Sequence, residues 1–128
     1  MDKTIFLTGI LFGILAVLLG AFGAHGLENL VDEDAIQTWE TGVTYQMYHA
    51  LLLLVLANVK AIPEGHKKWI FYCIVAGIIL FSFSIYFLAT NTLSSFDFKN
   101  IGFVTPIGGL LLILGWLLLG LKFRKHIK

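Results

Sequence analysis

Charged residues are scarce in this sequence. Only 13% of its 128 residues are Asp, Glu, Lys or Arg, whereas 58% are hydrophobic. An average soluble domain is about a quarter charged, and a soluble domain of this length still exposes about 30% of the surface of its unfolded chain. The few polar residues present cannot cover that surface. The composition therefore excludes an ordinary soluble domain and indicates an integral membrane protein.

Other features are also rare or missing. The single cysteine, Cys73, cannot form an intrachain disulfide. Nine basic against eight acidic residues leave a net charge of +1, which gives no support for a nucleic-acid partner. There is no Gly-x-Ser-x-Gly or His-Glu-x-x-His motif, and the carboxylates lie outside the apolar stretches. We therefore predict no enzymatic activity, no catalytic residue, no metal site and no cofactor.

What the sequence does contain is long uncharged stretches, at residues 4–24, 41–59, 69–96 and 100–121. Each has the roughly 20 residues that a helix needs to cross the hydrocarbon core of a bilayer, and none shows the short alternation of barrel strands. The first stretch is longer than the apolar core of a signal peptide, so we expect it to be retained. Short connections predict antiparallel neighbours. The prediction is an all-α integral membrane four-helix up-and-down bundle, a single domain over 1–128 with spans at about 4–24, 41–59, 69–90 and 104–121.

Lysine and arginine are distributed unequally between the two sides of this predicted bundle. The N-terminus, the second connection and the C-terminal tail together carry eight, whereas the first and third connections carry one, Lys99. The positive-inside rule then places both termini in the cytoplasm. The basic residues of the tail are expected to attract anionic lipid; they are Lys122, Arg124, Lys125 and Lys128.

Several residues are suited to the ends of the predicted helices. Asp32 or Asp34 can cap the helix that contains the second span. Gly26 is expected to end the first helix in the left-handed conformation. Thr105 and Pro106 suit the N-cap and first position of the fourth helix, with a kink at Pro106 as the alternative.

Small residues recur at helical spacing in two of the spans. Such residues allow neighbouring backbones to approach closely in a membrane, so we predict helix-packing faces. The contact is formed either within the chain or with a second copy or another membrane protein. The predicted packing residues are Gly9, Gly13, Gly20, Gly23, Gly108 and Gly115.

Polar residues within the spans are predicted to form one layer. Because alternate spans run in opposite directions, the end of span one, the start of span two, the end of span three and the start of span four all lie on the outer side. The residues of this predicted layer are His25, Tyr45, Gln46, His49, Ser82, Ser84, Tyr86 and Thr105.

Two interpretations of the layer are open. In the first, neutral side chains form hydrogen bonds between helices, each stabilising the bundle by about 0.6 kcal/mol. In the second, His25 and His49 bind a metal, haem or quinone, or relay protons, because imidazole has an available nitrogen and titrates near neutral pH. Two histidines are a small ligand set, since a closed zinc site has about four ligands.

Four sequence segments resemble the domain-of-unknown-function family 423, which has transmembrane-protein-256-like members in eukaryotes. The segments are 20–27 (GAFGAHGL), 45–51 (YQMYHAL), 80–86 (LFSFSIY) and 105–109 (TPIGG), the last followed by Gly115 and Trp116. Phe83 departs from the pattern, because the family usually has a small residue there. The resemblance implies a small four-span protein of the bacterial inner (cell) membrane with no established activity.

These observations together favour a non-enzymatic structural or accessory component that supports membrane integrity or a partner complex. The alternative is a ligand-binding or transport protein that uses the polar layer around His25 and His49. The expected partners are the lipid bilayer, anionic lipid at the basic tail, and a second copy or another membrane protein.

Overall fold

The computed structural model describes residues 1–95 and 97–127 of the chain, and every regular element in this part is helical. A π-helical segment, Ile79–Phe83, continues α3 into α4, so Glu64–Ala89 forms one rod, called here the third span. Short 3-10 turns lie in the first and third connections. The five α-helices are α1 (Asp2–His25), α2 (Glu33–Asn58), α3 (Glu64–Ile78), α4 (Ser84–Ala89) and α5 (Val104–His126). The predicted all-α fold is confirmed.

Helices α1 and α2 run antiparallel along their whole length. Gly9 near the start of α1 faces Leu53 near the end of α2, and Gly23 near the end of α1 faces Trp39 near the start of α2. The glycines allow the close approach, since a Cβ at Gly9 would lie 2.9 Å from the carbonyl oxygen of Ala50.

The third span and α5 form a second antiparallel pair. Gly115 of α5 lies against Ile74, and Gly108, earlier in α5, lies against the backbone at Phe81. Helix α2 contacts the third span, where Ser82 hydrogen-bonds to the backbone of Gly42. The chain therefore passes up and down four times, as predicted.

Both described chain ends lie at the same end of the bundle. The amino terminus pairs with Glu64 at 2.9 Å, and the Lys67 ammonium pairs with Asp2 at 3.0 Å. At the other end of the chain, the ring of His126 lies 5.3 Å from that of His66. All of these contacts meet at the start of α3. We call this end of the bundle, which contains Met1, Asp2, Glu64, Lys67 and His126, the lysine-rich end.

The bundle has an apolar interior and an apolar exterior. The interior is filled by fully buried aliphatic side chains of α1, α2 and α3, among them Ile5, Leu53, Leu56, Ile70, Ile74 and Ile78, and by the buried Leu112 of α5. Outside, Leu11 and Leu110 are 54% and 66% exposed. Helices that are apolar all round are typical of membrane spans.

Three helical stretches of the described chain are long and apolar enough to cross a membrane: Asp2–Asn29, Glu64–Ala89 and Val104–His126. Helix α2 is as long, with 26 residues, but it carries more polar side chains. Those side chains include Gln46 and His49, which are 0% and 5% exposed and face the other helices instead of the surroundings.

The observed helix ends agree with the predicted ones at one position and differ from them at two. Asp32 caps α2 by accepting a hydrogen bond from the Ala35 amide at 2.9 Å. Gly26 is right-handed, with φ of −99°, because the chain continues directly into a right-handed 3-10 turn that buries Leu27. Helix α5 begins at Val104, one residue before Thr105, so Thr105 is not its N-cap.

Candidate functional site

Gln46 connects three helices at the centre of the bundle. Its amide nitrogen donates to the carbonyl oxygen of Phe12 in α1 at 2.8 Å, and its amide oxygen accepts from the hydroxyl of Tyr86 in α4 at 2.7 Å. The side chain is completely buried. Both ends of the amide are therefore used for interhelical bonding.

Two serines of the third span make similar connections. The Ser82 hydroxyl donates to the carbonyl oxygen of Gly42 in α2 at 2.8 Å. The Ser84 hydroxyl donates to the carbonyl oxygen of Phe81 at 2.9 Å and also contacts the Thr105 hydroxyl of α5. Because the single hydroxyl proton of Ser84 is already donated, Thr105 is the donor in the second bond. These contacts join α2 and α5 to the middle of the third span.

His49 is held between α2 and α5 through both ring nitrogens. Trp116 donates its indole N–H to Nε2 of His49 at 3.0 Å, and Nδ1 lies 2.6 Å from the carbonyl oxygen of Tyr45. An indole N–H is only a donor and a carbonyl only an acceptor. Nε2 must therefore be the unprotonated nitrogen and Nδ1 must carry the proton, so the imidazole is neutral and has no lone pair left for a ligand.

Two residues of the predicted layer contribute no side-chain hydrogen bond to this network. His25 is exposed at the end of α1. Gly13 lies opposite Ala50, next to His49, so His25 is twelve residues, or about 18 Å, further along α1. Tyr45 is 42% exposed and contributes only its backbone carbonyl, while its ring packs on Phe81. The structure does not bring the two histidines together.

Two tryptophans belong to the network although they were not included in the predicted layer. Trp116 is the partner of His49, and Trp39 donates its indole N–H to the carbonyl oxygen of Leu19 at 2.8 Å. The sequence did offer one signal for Trp116, because the Gly115-Trp116 pair accompanies the fourth segment that resembles the family. Trp39 lies near the start of a predicted span, where an interfacial anchor is the usual expectation, and this position concealed its contact with α1.

The six predicted packing glycines differ in how closely they contact a neighbour. An added Cβ would lie 2.6 Å from the indole of Trp39 at Gly23, but 3.3 Å from Val43 at Gly20 and 4.0 Å from Ala50 at Gly13. Close contact is therefore made within the chain at Gly9, Gly23, Gly108 and Gly115. Gly13 and Gly20 border shallow apolar grooves between α1 and α2 that face outward.

The buried polar side chains of this network are bonded to other groups of the chain. In the described part of the chain, no buried side-chain nitrogen or oxygen lacks a partner, and no group of three or more His, Cys, Asp or Glu residues is arranged to hold a metal. The groove between α1 and α2, with a volume of about 400 Å³, is lined by apolar residues alone. It offers surface for hydrocarbon chains, with no polar group to orient a substrate.

Comparison with known proteins gives the family. The family model described as "Protein of unknown function (DUF423)" matches residues 19–109. This chain belongs to that family. The matched segment contains every residue of the predicted polar layer, and the membership implied by the four resembling segments is confirmed.

Curated relatives are similar in sequence to this chain over nearly its whole length. The UPF0382 membrane protein YwdK of Bacillus subtilis is 39% identical over 127 residues, which are 98% of this chain and 99% of the relative. A UPF0382 membrane protein of Staphylococcus epidermidis is 41% identical over 123 residues, 96% and 97% of the two chains. No solved structure shows a significant match. The chain is therefore a membrane protein of a family whose activity is not established.

Proposed function

We propose that the chain is a non-enzymatic structural or accessory component of the bacterial cell membrane that supports membrane integrity or a partner complex. The observation that carries this proposal is the bonding of Gln46, completely buried between Phe12 of α1 and Tyr86 of α4. A polar residue that binds substrate must have a donor or acceptor available to it. Here the buried polar groups are used to hold the helices together.

We also propose that all four rods cross the membrane, with both termini in the cytoplasm. Helix α2 pairs with α1 from Gly9 to Gly23, so it cannot leave the bilayer while α1 crosses. Its polar side chains need not contact lipid, since Gln46 and His49 face the interior. The lysine-rich end then lies on the cytoplasmic side by the positive-inside rule.

The basic tail supports binding to anionic lipid on that side. Lys122, Arg124 and Lys125 lie in the last turns of α5, and each basic residue near an anionic surface contributes about 1 kcal/mol. Lys128, the fourth basic residue of the predicted tail, lies outside the described residues.

The test is purification of the chain in mild detergent, followed by absorbance spectroscopy, elemental analysis and thermal unfolding. We expect no stoichiometric chromophore or metal. His49→Ala should lower the unfolding temperature, because it leaves the Trp116 indole without its acceptor. The matched control, His25→Ala, should not, because His25 is exposed. A chromophore or metal lost from a folded His49→Ala variant would overturn the proposal.

A further inference from the structure

A groove lies between α3 and α5 at the lysine-rich end. It has a volume of about 380 Å³. His66 and Lys122 line it at the end nearest the start of α3 and the end of α5, and Trp69, Cys73, Leu114 and Leu118 line it further along the two helices. From Lys122 to Leu114 the groove follows eight residues of α5, or about 12 Å. It therefore has a cationic end and an apolar interior, unlike the wholly apolar groove between α1 and α2.

The cations at this end of the groove have no carboxylate partner in the described part of the chain. The nearby carboxylates of Asp2 and Glu64 are paired with Lys67 and with the amino terminus. No ion pair is formed by Lys122 or Lys125 among the described residues. A lysine that has no carboxylate partner among the described residues, at the end of an apolar groove, attracts an anion that also carries hydrocarbon.

The positions of the surrounding side chains agree with this interpretation. The ring of His126 lies 5.3 Å from that of His66, so the basic end of α5, with Arg124 and Lys125, lies close to the groove. The Lys68 ammonium lies 5.5 Å from the ring centroid of Trp69. Tryptophan and lysine are the residues that membrane proteins place at the level of the lipid headgroups.

We propose that this groove binds one anionic phospholipid, with its phosphodiester between His66 and Lys122 and an acyl chain along Cys73, Leu114 and Leu118. Basic pockets between membrane helices bind anionic headgroups in this manner. The inference adds a defined site to the general attraction by the tail, and it rests on the proposed membrane placement. It does not depend on the structural role of Gln46 or His49, so either proposal can fail without the other.

The first test compares two lipids on the purified full-length chain by native mass spectrometry. Dioleoylphosphatidylglycerol and dioleoylphosphatidylcholine have the same acyl chains but differ in net charge. We expect the dissociation constant of the first lipid molecule bound to be at least about fivefold lower for phosphatidylglycerol than for phosphatidylcholine. Lys122→Gln should weaken that binding about fivefold, the equivalent of about 1 kcal/mol. The matched control is Lys60→Gln, which removes an exposed lysine outside the groove and should have no effect.

The second test uses the lone cysteine as a probe of occupancy. Cys73 lines the groove and is the only cysteine in the chain, so its alkylation by a maleimide reports directly on the site. Phosphatidylglycerol should slow alkylation of the natural chain, but should slow it less in Lys122→Gln. Equal retention of the two lipids, an equal effect of Lys60→Gln, or equal protection by soluble glycerol phosphate would each overturn the proposal.

Discussion

At the scale of single residues, the amide of Gln46 explains how a polar side chain is accommodated in the centre of an apolar bundle. A glutamine has a donor and an acceptor at opposite sides of one group. Here the donor meets the Phe12 carbonyl oxygen and the acceptor meets the Tyr86 hydroxyl. Without water nearby, every polar group within the bilayer must find its partner inside the protein, and Gln46 supplies two such partners from one position.

The strength of this contact can be measured by a double-mutant cycle. Gln46→Leu and Tyr86→Phe should each destabilise the bundle, and Gln46→Leu should do so more, because it removes two hydrogen bonds. We expect a coupling energy of about 0.6 kcal/mol and no more than about 1.7 kcal/mol, the range of interhelical hydrogen bonds in membranes. Reversible unfolding in mixed micelles gives the free energies. Tyr48→Phe, at a position 58% exposed, is the control and should be neutral; a coupling energy of zero would contradict the assigned bond.

At the residue scale, polarity was the informative signal in the sequence. Gln46, Ser82 and Ser84 stand out as polar residues within apolar stretches, and all three contribute side-chain hydrogen bonds to the network. The assignment of His25 to the same layer used only the order of the spans. It did not resolve depth, because a position near the end of one helix and a position in the middle of another can share a side of the membrane and still lie about 18 Å apart.

At the scale of helices, the contact between the third span and α5 depends on glycine and on the π-helical segment. Gly108 packs against the backbone of Leu80 and Phe81, within that segment. At Gly115 the atom nearest to an added Cβ would be Cδ1, at the end of the Ile74 side chain, and at Gly120 no atom would lie within 4 Å. Three glycines of one helix therefore experience different degrees of contact.

Alanine substitution should reproduce this order. Gly108→Ala should destabilise most, by about 1–3 kcal/mol, because a backbone cannot move aside as a side chain does. Gly115→Ala should have a smaller effect, since the end of Ile74 can rotate. Gly120→Ala serves as the control and should be neutral or slightly stabilising, because alanine favours the helix. Unfolding free energies in micelles give the ranking; equal effects at positions 108 and 120 would contradict the packing described.

The sequence predicted the rods but not this irregularity. Long apolar stretches are sufficient to predict helices in a membrane, because only helices satisfy their own backbone groups there. Nothing in the composition of residues 79–83 distinguishes a π-helical turn from an α-helical one. The additional residue in that turn is accommodated by the contacts of Ser82 with α2 and of Gly108 with the backbone, and these contacts exist only in the assembled bundle.

At the scale of the whole molecule, charge is separated between two ends. The lysine-rich end contains the amino terminus, the start of α3 and the end of α5, joined by the Met1–Glu64 and His66–His126 contacts. The opposite end carries the acidic start of α2, with Asp32, Glu33 and Asp34. This separation supports the proposed orientation and predicts which positions face each side of the membrane.

Cysteine labelling in spheroplasts tests the orientation. In a Cys73→Ser background, Glu33→Cys should react with a membrane-impermeant maleimide, whereas Lys125→Cys should react only after permeabilisation. The background protein without added cysteine is the control and should remain unlabelled. Reversed labelling would show the opposite orientation, and labelling of both positions in sealed spheroplasts would contradict four crossings.

The sequence by itself determined that this protein is a helical membrane protein of the DUF423 family, because hydrocarbon-length apolar stretches allow no other backbone structure and the resembling segments are long. It also identified most of the buried polar residues. Only the tertiary structure decided which of them meet. It separated His25 from His49 and paired His49 with Trp116, because contact between helices depends on register and rotation, which the order of residues along one chain does not specify.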